Sequence, residues 1–276
     1  MSATSFGTVA PGGFGTGVSD TVALIGRHLR HLRRTPEKII AVTLTPVAMV
    51  GILGYLFASV VSVQGTAQYH DYVMGGVFAQ VALSCVGVAA LGVSADLRTG
   101  LIDRFRSLPM ARSTVLVSHT AADLVTSAVA VVGVSLAGLA VGWRIHKGFL
   151  PAALGFVLIL AFAYAMLWLG ALLGMVMRNA EAINGVSALV LVIFSFLSSS
   201  FMPLTGLPTW LRTVAEWNPV SVVSAACRQL WGNAPAAAHG SLAVQHPVLL
   251  APILLAAMIG VLMPVSMRVY RTAVVR

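Results

Sequence analysis

Leu150-Pro-Ala-Ala-Leu-Gly-Phe-Val-Leu-Ile-Leu-Ala-Phe-Ala-Tyr-Ala-Met-Leu-Trp-Leu-Gly-Ala-Leu-Leu-Gly-Met-Val176 is the stretch that decides the fold, because it carries no charged side chain from end to end. About 20 apolar residues suffice for a helix to cross the hydrocarbon core of a bilayer. Five more stretches read the same way: Ile39 to Val63, Val73 to Ala95, Val115 to Val141 (uncharged only after Asp123), Ile183 to Phe201 and Val248 to Met267. The expected fold class is therefore an all-α membrane protein with six transmembrane helices. The composition agrees, with 58% hydrophobic and only 9% charged residues over 276 positions, against roughly 25% charged in a soluble domain.

The few charges are mostly basic, 17 Lys plus Arg against 8 Asp plus Glu, for a formal net charge of +9. Cytoplasmic loops retain Lys and Arg. With the N-terminus inside, Arg27, Arg30, Arg33, Arg34, Lys38, Arg98, Arg104, Arg106, Arg112, Arg178, Arg268, Arg271 and Arg276 fall on the cytoplasmic side, and Arg144, Lys147, Arg212 and Arg228 on the outer side. Both termini are thus expected in the cytoplasm. Trp143, Trp210, Trp217 and Trp231 then fall at the outer interface, where an amphipathic ring sits well. This arrangement explains the basic balance through topology and anionic lipid, and no aromatic-interleaved basic patch points to nucleic acid.

Residues 1–18 read as a disordered cytoplasmic tail, and the transmembrane domain as 19–276. Gly12-Gly13-Phe14-Gly15-Thr16-Gly17 lacks both the spacing and the Lys of a phosphate loop. Cys85 and Cys227 are too few for a disulfide framework. Over 19–35, Val22, Ile25, Leu29 and Leu32 share one face and Arg27, Arg30, His31, Arg33 and Arg34 the others. That is an interfacial helix, either an anchor or a lever onto the first span.

Three segments hold the candidate functional residues. In the loop 96–112, Leu101, Ile102, Phe105 and Leu108 make an apolar stripe rimmed by Asp103, Arg104 and Arg106, with Pro109 as the stop. Such a helix either docks on a partner or lies flat among headgroups. In the outer segment 202–231, Pro208 stands in first-turn position and Trp210, Val214 and Trp217 line one face. Arg212 and Glu216 pair at i, i+4, and Asn218-Pro219 breaks the chain before a second helix from about Val220 to Trp231. Helix, break, helix reads as a re-entrant element shielded by neighbouring spans. Within the spans, His119 and Asp123 share a face as a local pair or an inner gate. Phe194, Ser195, Ser198 and Ser199 sit in a cluster that either lines a substrate path or bonds back to its own helix. Gly138-Leu-Ala-Val-Gly142 and Gly170-Ala-Leu-Leu-Gly174 match the GxxxG pattern of close helix packing, expected within the subunit.

The inner amphipathic helix, six spans, Asp103-Arg-Phe-Arg-Ser-Leu-Pro-Met110 and Pro208-Thr-Trp-Leu211 with Asn218-Pro-Val-Ser221 together resemble the ABC-2 type permeases, and among them the actinobacterial daunorubicin-resistance group of drug exporters. The resemblance implies a permease of the bacterial cell membrane without a nucleotide site or cofactor of its own. It implies a dimer, of two copies or with a sister permease, working with two separate ATP-binding subunits that hold ATP and Mg. By position, Arg98, Leu101, Ile102, Asp103, Arg104, Phe105 and Leu108 would form the ATPase-coupling loop. Pro203, Pro208, Trp210, Trp217, Asn218 and Pro219 would close the outer end. Many relatives carry Arg where this chain has His119, and broader members an acidic residue where it has Arg98.

The implied substrates are hydrophobic or amphipathic, drug-like or lipid-like molecules moved outward. The sequence agrees in having no GxxxxGK[ST] motif. An intramembrane enzyme fits poorly, because no His-Glu-x-x-His arrangement and no Gly-x-Ser-Gly with a span-borne His is present. An ion-coupled secondary transporter would show inverted repeats and spans interrupted at the midplane, and the sequence displays neither.

Overall fold

The computed structural model describes residues 44, 46–52, 69–98, 112–177, 179–201, 204–235 and 241–273. Expected features outside them are the tail 1–18, the interfacial helix 19–35, most of the span 39–63, and the loop residues Leu101, Ile102, Asp103, Arg104, Phe105 and Leu108, together with Pro203. Residues 46–52 are helical. The helices that follow are α1 (Tyr69–Arg98), α2 (Arg112–Val141), α3 (Phe149–Val176), α4 (Ala180–Phe196), α5 (Thr209–Glu216), α6 (Pro219–Trp231), α7 (Leu242–Gln245) and α8 (Pro247–Ala273), with a 3₁₀ turn at Leu204–Gly206. Among the described residues there is no strand.

Four helical stretches are long and apolar enough to cross a membrane: Tyr69–Arg98, His119–Val141, Phe149–Val176 and Pro247–Tyr270. They coincide with four of the six expected spans. The fifth expected span differs. Its helix, α4, starts earlier, at Ala180 with Asn179 as its cap, and stops at Phe196 after 17 residues. At 1.5 Å per residue it reaches about 25 Å, and the chain continues as an irregular link over 197–201.

The core is built around α1. Its residues from Tyr69 to Val86 are buried almost without interruption, as expected of a helix that is apolar all round. Water exclusion gives lipid-embedded helices little reason to associate, so close packing of small residues must do it. Gly170 and Gly174 on α3 supply that packing: a Cβ on either would collide with the backbone oxygen of Val86 or Ala90 on α1. This GxxxG pair therefore packs within the subunit, as the sequence suggested. The other pair does not act as one. Gly138 faces the flexible Met74 side chain, while Gly142, at φ +108°, ends α2.

One end of the bundle is plugged by aromatic rings. Phe78 lies 5.6 Å from Trp143, 5.8 Å from Phe156 and 5.1 Å from Trp231, and the two Trp rings are 5.2 Å apart. Edge-on pairs of this kind contribute about 0.5–1.5 kcal/mol each beyond their burial. This corrects the expectation of four interfacial Trp. Trp143 and Trp231 are 1% and 0% exposed and belong to the core, whereas Trp210 and Trp217 are 70% and 49% exposed.

Candidate functional site

The end of α1 that begins at Tyr69 meets the break between α4 and α6, and local chemistry explains the break. Asn218 caps α6, its side chain accepting from Val220 N at 2.9 Å, and Pro219 occupies the first helical position. The same side chain turns its amide nitrogen on the end of α4, donating to the carbonyls of Phe194 at 2.9 Å and Leu197 at 2.5 Å. Those carbonyls are among the ones a helix end leaves without partners. One residue thus starts one helix and finishes another.

The link 197–201 is tied down by side chains from two helices. Tyr72 and Tyr69 of α1 donate their hydroxyls to the carbonyls of Ser199 and Phe201, each at 2.8 Å. Ser199 N donates to Ser221 Oγ of α6 at 2.9 Å. Arg228 of α6 contributes most, donating through Nε to Tyr72 O at 2.7 Å and through Nη2 to Ser199 O at 2.7 Å and Ser200 O at 2.9 Å. Its guanidinium carbon lies 3.8 Å from the centre of the Tyr72 ring, a cation–π geometry. Arg228 is 2% exposed, so the residue counted among the outer charges is an internal strut. The signal was there: Ser221, Ser224, Ala225 and Arg228 recur at helical spacing as a small, polar stripe.

Ahead of this break stands α5. Pro208 precedes its first residue, and Trp210, Val214 and Trp217 all face outward. Arg212 Nε donates to Glu216 Oε1 at 2.8 Å, the expected i, i+4 pair. Glu216 is buried, and its second oxygen accepts from Ser241 N at 3.1 Å. Burial pushes its carboxyl pKa upward, but the hydrogen bonds from Ser241 and Arg212 outweigh that and hold it below the ordinary value. The serine cluster divides. Ser198 Oγ donates back to Ser195 O at 2.6 Å, the self-bonding alternative. Ser199 lines a cavity beside α6, and Phe194 lines a separate apolar groove with Ile193, Val214 and Trp217.

At the other end of α1, about 40 Å away by helical rise, His119 lies between two carboxylates. Its Nδ1 is 3.1 Å from Asp123 Oδ2 and its Nε2 is 3.5 Å from Asp96 Oδ2. Asp96, which the sequence reading did not connect to His119, belongs to α1, so the contact bridges two helices. Gly92, one turn before Asp96, makes room for the ring: a Cβ there would lie 2.8 Å from His119 Cε1. Arg98 ends α1 and is exposed. Among the described residues, no group of three or more His, Cys, Asp or Glu is arranged to hold a metal ion.

Long apolar helices around a buried central one, with a broken helix pair strapped to its end, define an integral membrane protein. A family profile described as "ABC-2 type transporter" matches residues 19–231, and the chain belongs to that family. It is 27% identical over 256 residues to the daunorubicin resistance ABC transporter permease protein DrrB1 of Streptomyces coeruleorubidus, covering 93% of this chain and 87% of that protein. It is 24% identical over 218 residues, 76% of each chain, to the protein named "Probable doxorubicin resistance ABC transporter permease protein DrrC" in two strains of Mycobacterium tuberculosis. The chain is a transmembrane permease subunit of an ABC exporter.

Proposed function

We propose that this permease moves hydrophobic or amphipathic molecules, drug-like or lipid-like, outward across a bacterial plasma membrane. The energy would come from ATP hydrolysed with Mg on two separate ATP-binding subunits, and a second copy or a sister permease would complete the pathway. The relatives named for resistance to daunorubicin and doxorubicin support the substrate class.

The observation that carries the mechanism is the reach of α1. One end of this single continuous helix, with Asp96 and Arg98, leads into the loop proposed to engage the ATPase through Leu101, Ile102, Asp103, Arg104, Phe105 and Leu108. Its other end holds the link 197–201 through Tyr69 and Tyr72. Closure of the ATPase subunits would shift α1 and α2 together, because His119 joins them beside the loop. In this reading His119 and Asp123 serve as the inner clamp, with Asp96 as their partner across the helices. The same displacement would reach the link and α5 through α6, moving an outer gate formed by Pro203, Pro208, Trp210, Trp217, Asn218 and Pro219. Both termini are cytoplasmic in this arrangement, consistent with the positive-side count.

The docking assignment is tested by co-purifying the permease with its ATP-binding subunits. A charge placed on the apolar stripe, Phe105→Asp, is expected to abolish the complex while the permease itself still folds and inserts. A complex recovered in full with the variant would overturn the assignment.

A further inference from the structure

A cavity of about 470 Å³ lies beside the break, bounded by α5, α6 and α7, with Arg212, Glu216, Ser221, Ala225 and Arg228 in its lining. Its charges do not balance. Glu216 is engaged by Arg212 at 2.8 Å, whereas no carboxylate of any described residue stands within ion-pair distance of Arg228. Two guanidiniums face one carboxylate across the described lining.

A cation buried as deeply as Arg228 is costly unless something compensates it. The carbonyls of Tyr72, Ser199 and Ser200 occupy Nε and Nη2, and the Tyr72 ring covers one face. A guanidinium has five N–H donors, and Nη1 makes no hydrogen bond to a described residue. Carbonyl dipoles satisfy donors without cancelling the charge. A residue needed only to strap the link would use the same three carbonyls but would have no reason to line a cavity with its charge uncancelled. The rest of the lining is largely apolar, with Leu204, Ala243, Val244 and Pro247 among it.

We infer that this cavity receives the anionic head group of an amphiphile, a phosphate or carboxylate carried on an apolar chain, with Arg228 as its counter-charge. A charge-assisted contact to Nη1 supplies the polar half of recognition, and the apolar lining takes the start of the chain. The inference adds a head-group preference to the export reading but stands on the cavity and Arg228, so either can fail without the other. The head group can arrive on a lipid of the surrounding leaflet or on a molecule in transit.

The probe is a photoactivatable dodecyl phosphate, added to the full-length permease in phosphatidylcholine nanodiscs without nucleotide, with labelled peptides mapped by mass spectrometry. Because Arg228 also holds the link, the charge is altered beside it. Ala225→Asp places a carboxylate one turn away on the same helix, and Ala225→Asn is the size-matched control. Labelling of the α6 and α7 peptides is expected to drop about tenfold in Ala225→Asp and to change less than about twofold in Ala225→Asn, the margin of a lost charge-assisted contact. Unlabelled dodecyl phosphate should compete and dodecyltrimethylammonium should not. Competition by phosphatidylglycerol included in the disc identifies a lipid occupant. Labelling that persists against that lipid, but falls when the ATP-binding subunits and ATP are present before irradiation, identifies a transported one. Equal labelling of the two variants, equal competition by the cationic amphiphile, or no labelling of these peptides would overturn the inference and leave Arg228 as a strap alone.

Discussion

Asn218 shows how much one side chain can settle at a helix break. It fills the cap of α6 and closes the carbonyls of Phe194 and Leu197, so Asn218→Ala removes partners from two helices at once. Loss of a cap costs about 1 kcal/mol and each buried carbonyl left unpaired about 1–3 kcal/mol more. The variant is expected to unfold at a clearly lower temperature in detergent, and Asn218→Asp, which keeps the cap but loses both amide donors, should fall between it and wild type. Glu216 makes a pH-dependent counterpart. Its folded pKa lies below the ordinary value, so the stabilisation it provides is complete above the ordinary carboxylate range. That stabilisation is lost as pH falls through the folded value. Hydrogen-exchange protection over α5 and residues 241–245, measured relative to the intrinsic exchange rate at each pH, should fall under those acidic conditions, and Glu216→Gln should abolish that pH dependence. An unchanged acid response in the variant would assign it to another group.

At the scale of elements, packing decides which sequence patterns matter. The two GxxxG matches look alike in sequence, yet Gly170 and Gly174 face the backbone of α1, while Gly138 faces a Met side chain that can move. Gly170→Ala is expected to destabilise the protein by about 1–3 kcal/mol, the usual cost of overpacking, and Gly138→Ala by much less, both read as thermal midpoints by fluorescence-detected size exclusion. The same contrast marks what was legible in the sequence. Long apolar runs, the i, i+4 pairing of Arg212 with Glu216 and the Asn218-Pro219 break are local signals, and each was readable at its own position. Arg228 with Tyr72, 156 positions apart, and Asp96 with His119 depend on which helices become neighbours, which no local pattern encodes. The fifth span misled for a related reason: residues 197–201, Leu-Ser-Ser-Ser-Phe, prolong the uncharged run of the helix before them, but the carbonyls of Ser199, Ser200 and Phe201 are satisfied by Tyr69, Tyr72 and Arg228 rather than by a continuing helix.

Across the whole molecule, the same helix that fills the core also joins the two ends where function is expected. α1 carries Asp96 beside the proposed coupling loop and Tyr72 against the link, with α3 gripping its middle through Gly170 and Gly174. In the mechanism proposed above that grip lets α1 move as a unit, so that a push at one end arrives at the other. In that mechanism transport depends on nucleotide hydrolysed by a separate subunit and on a push delivered through the loop. The most direct measurement is efflux of a fluorescent amphiphile from proteoliposomes holding the permease together with its ATP-binding subunits. The expected efflux requires ATP, ceases when the ATP-binding subunits are omitted, and is lost in Phe105→Asp. Efflux that proceeds without nucleotide and follows an imposed proton gradient would contradict that mechanism.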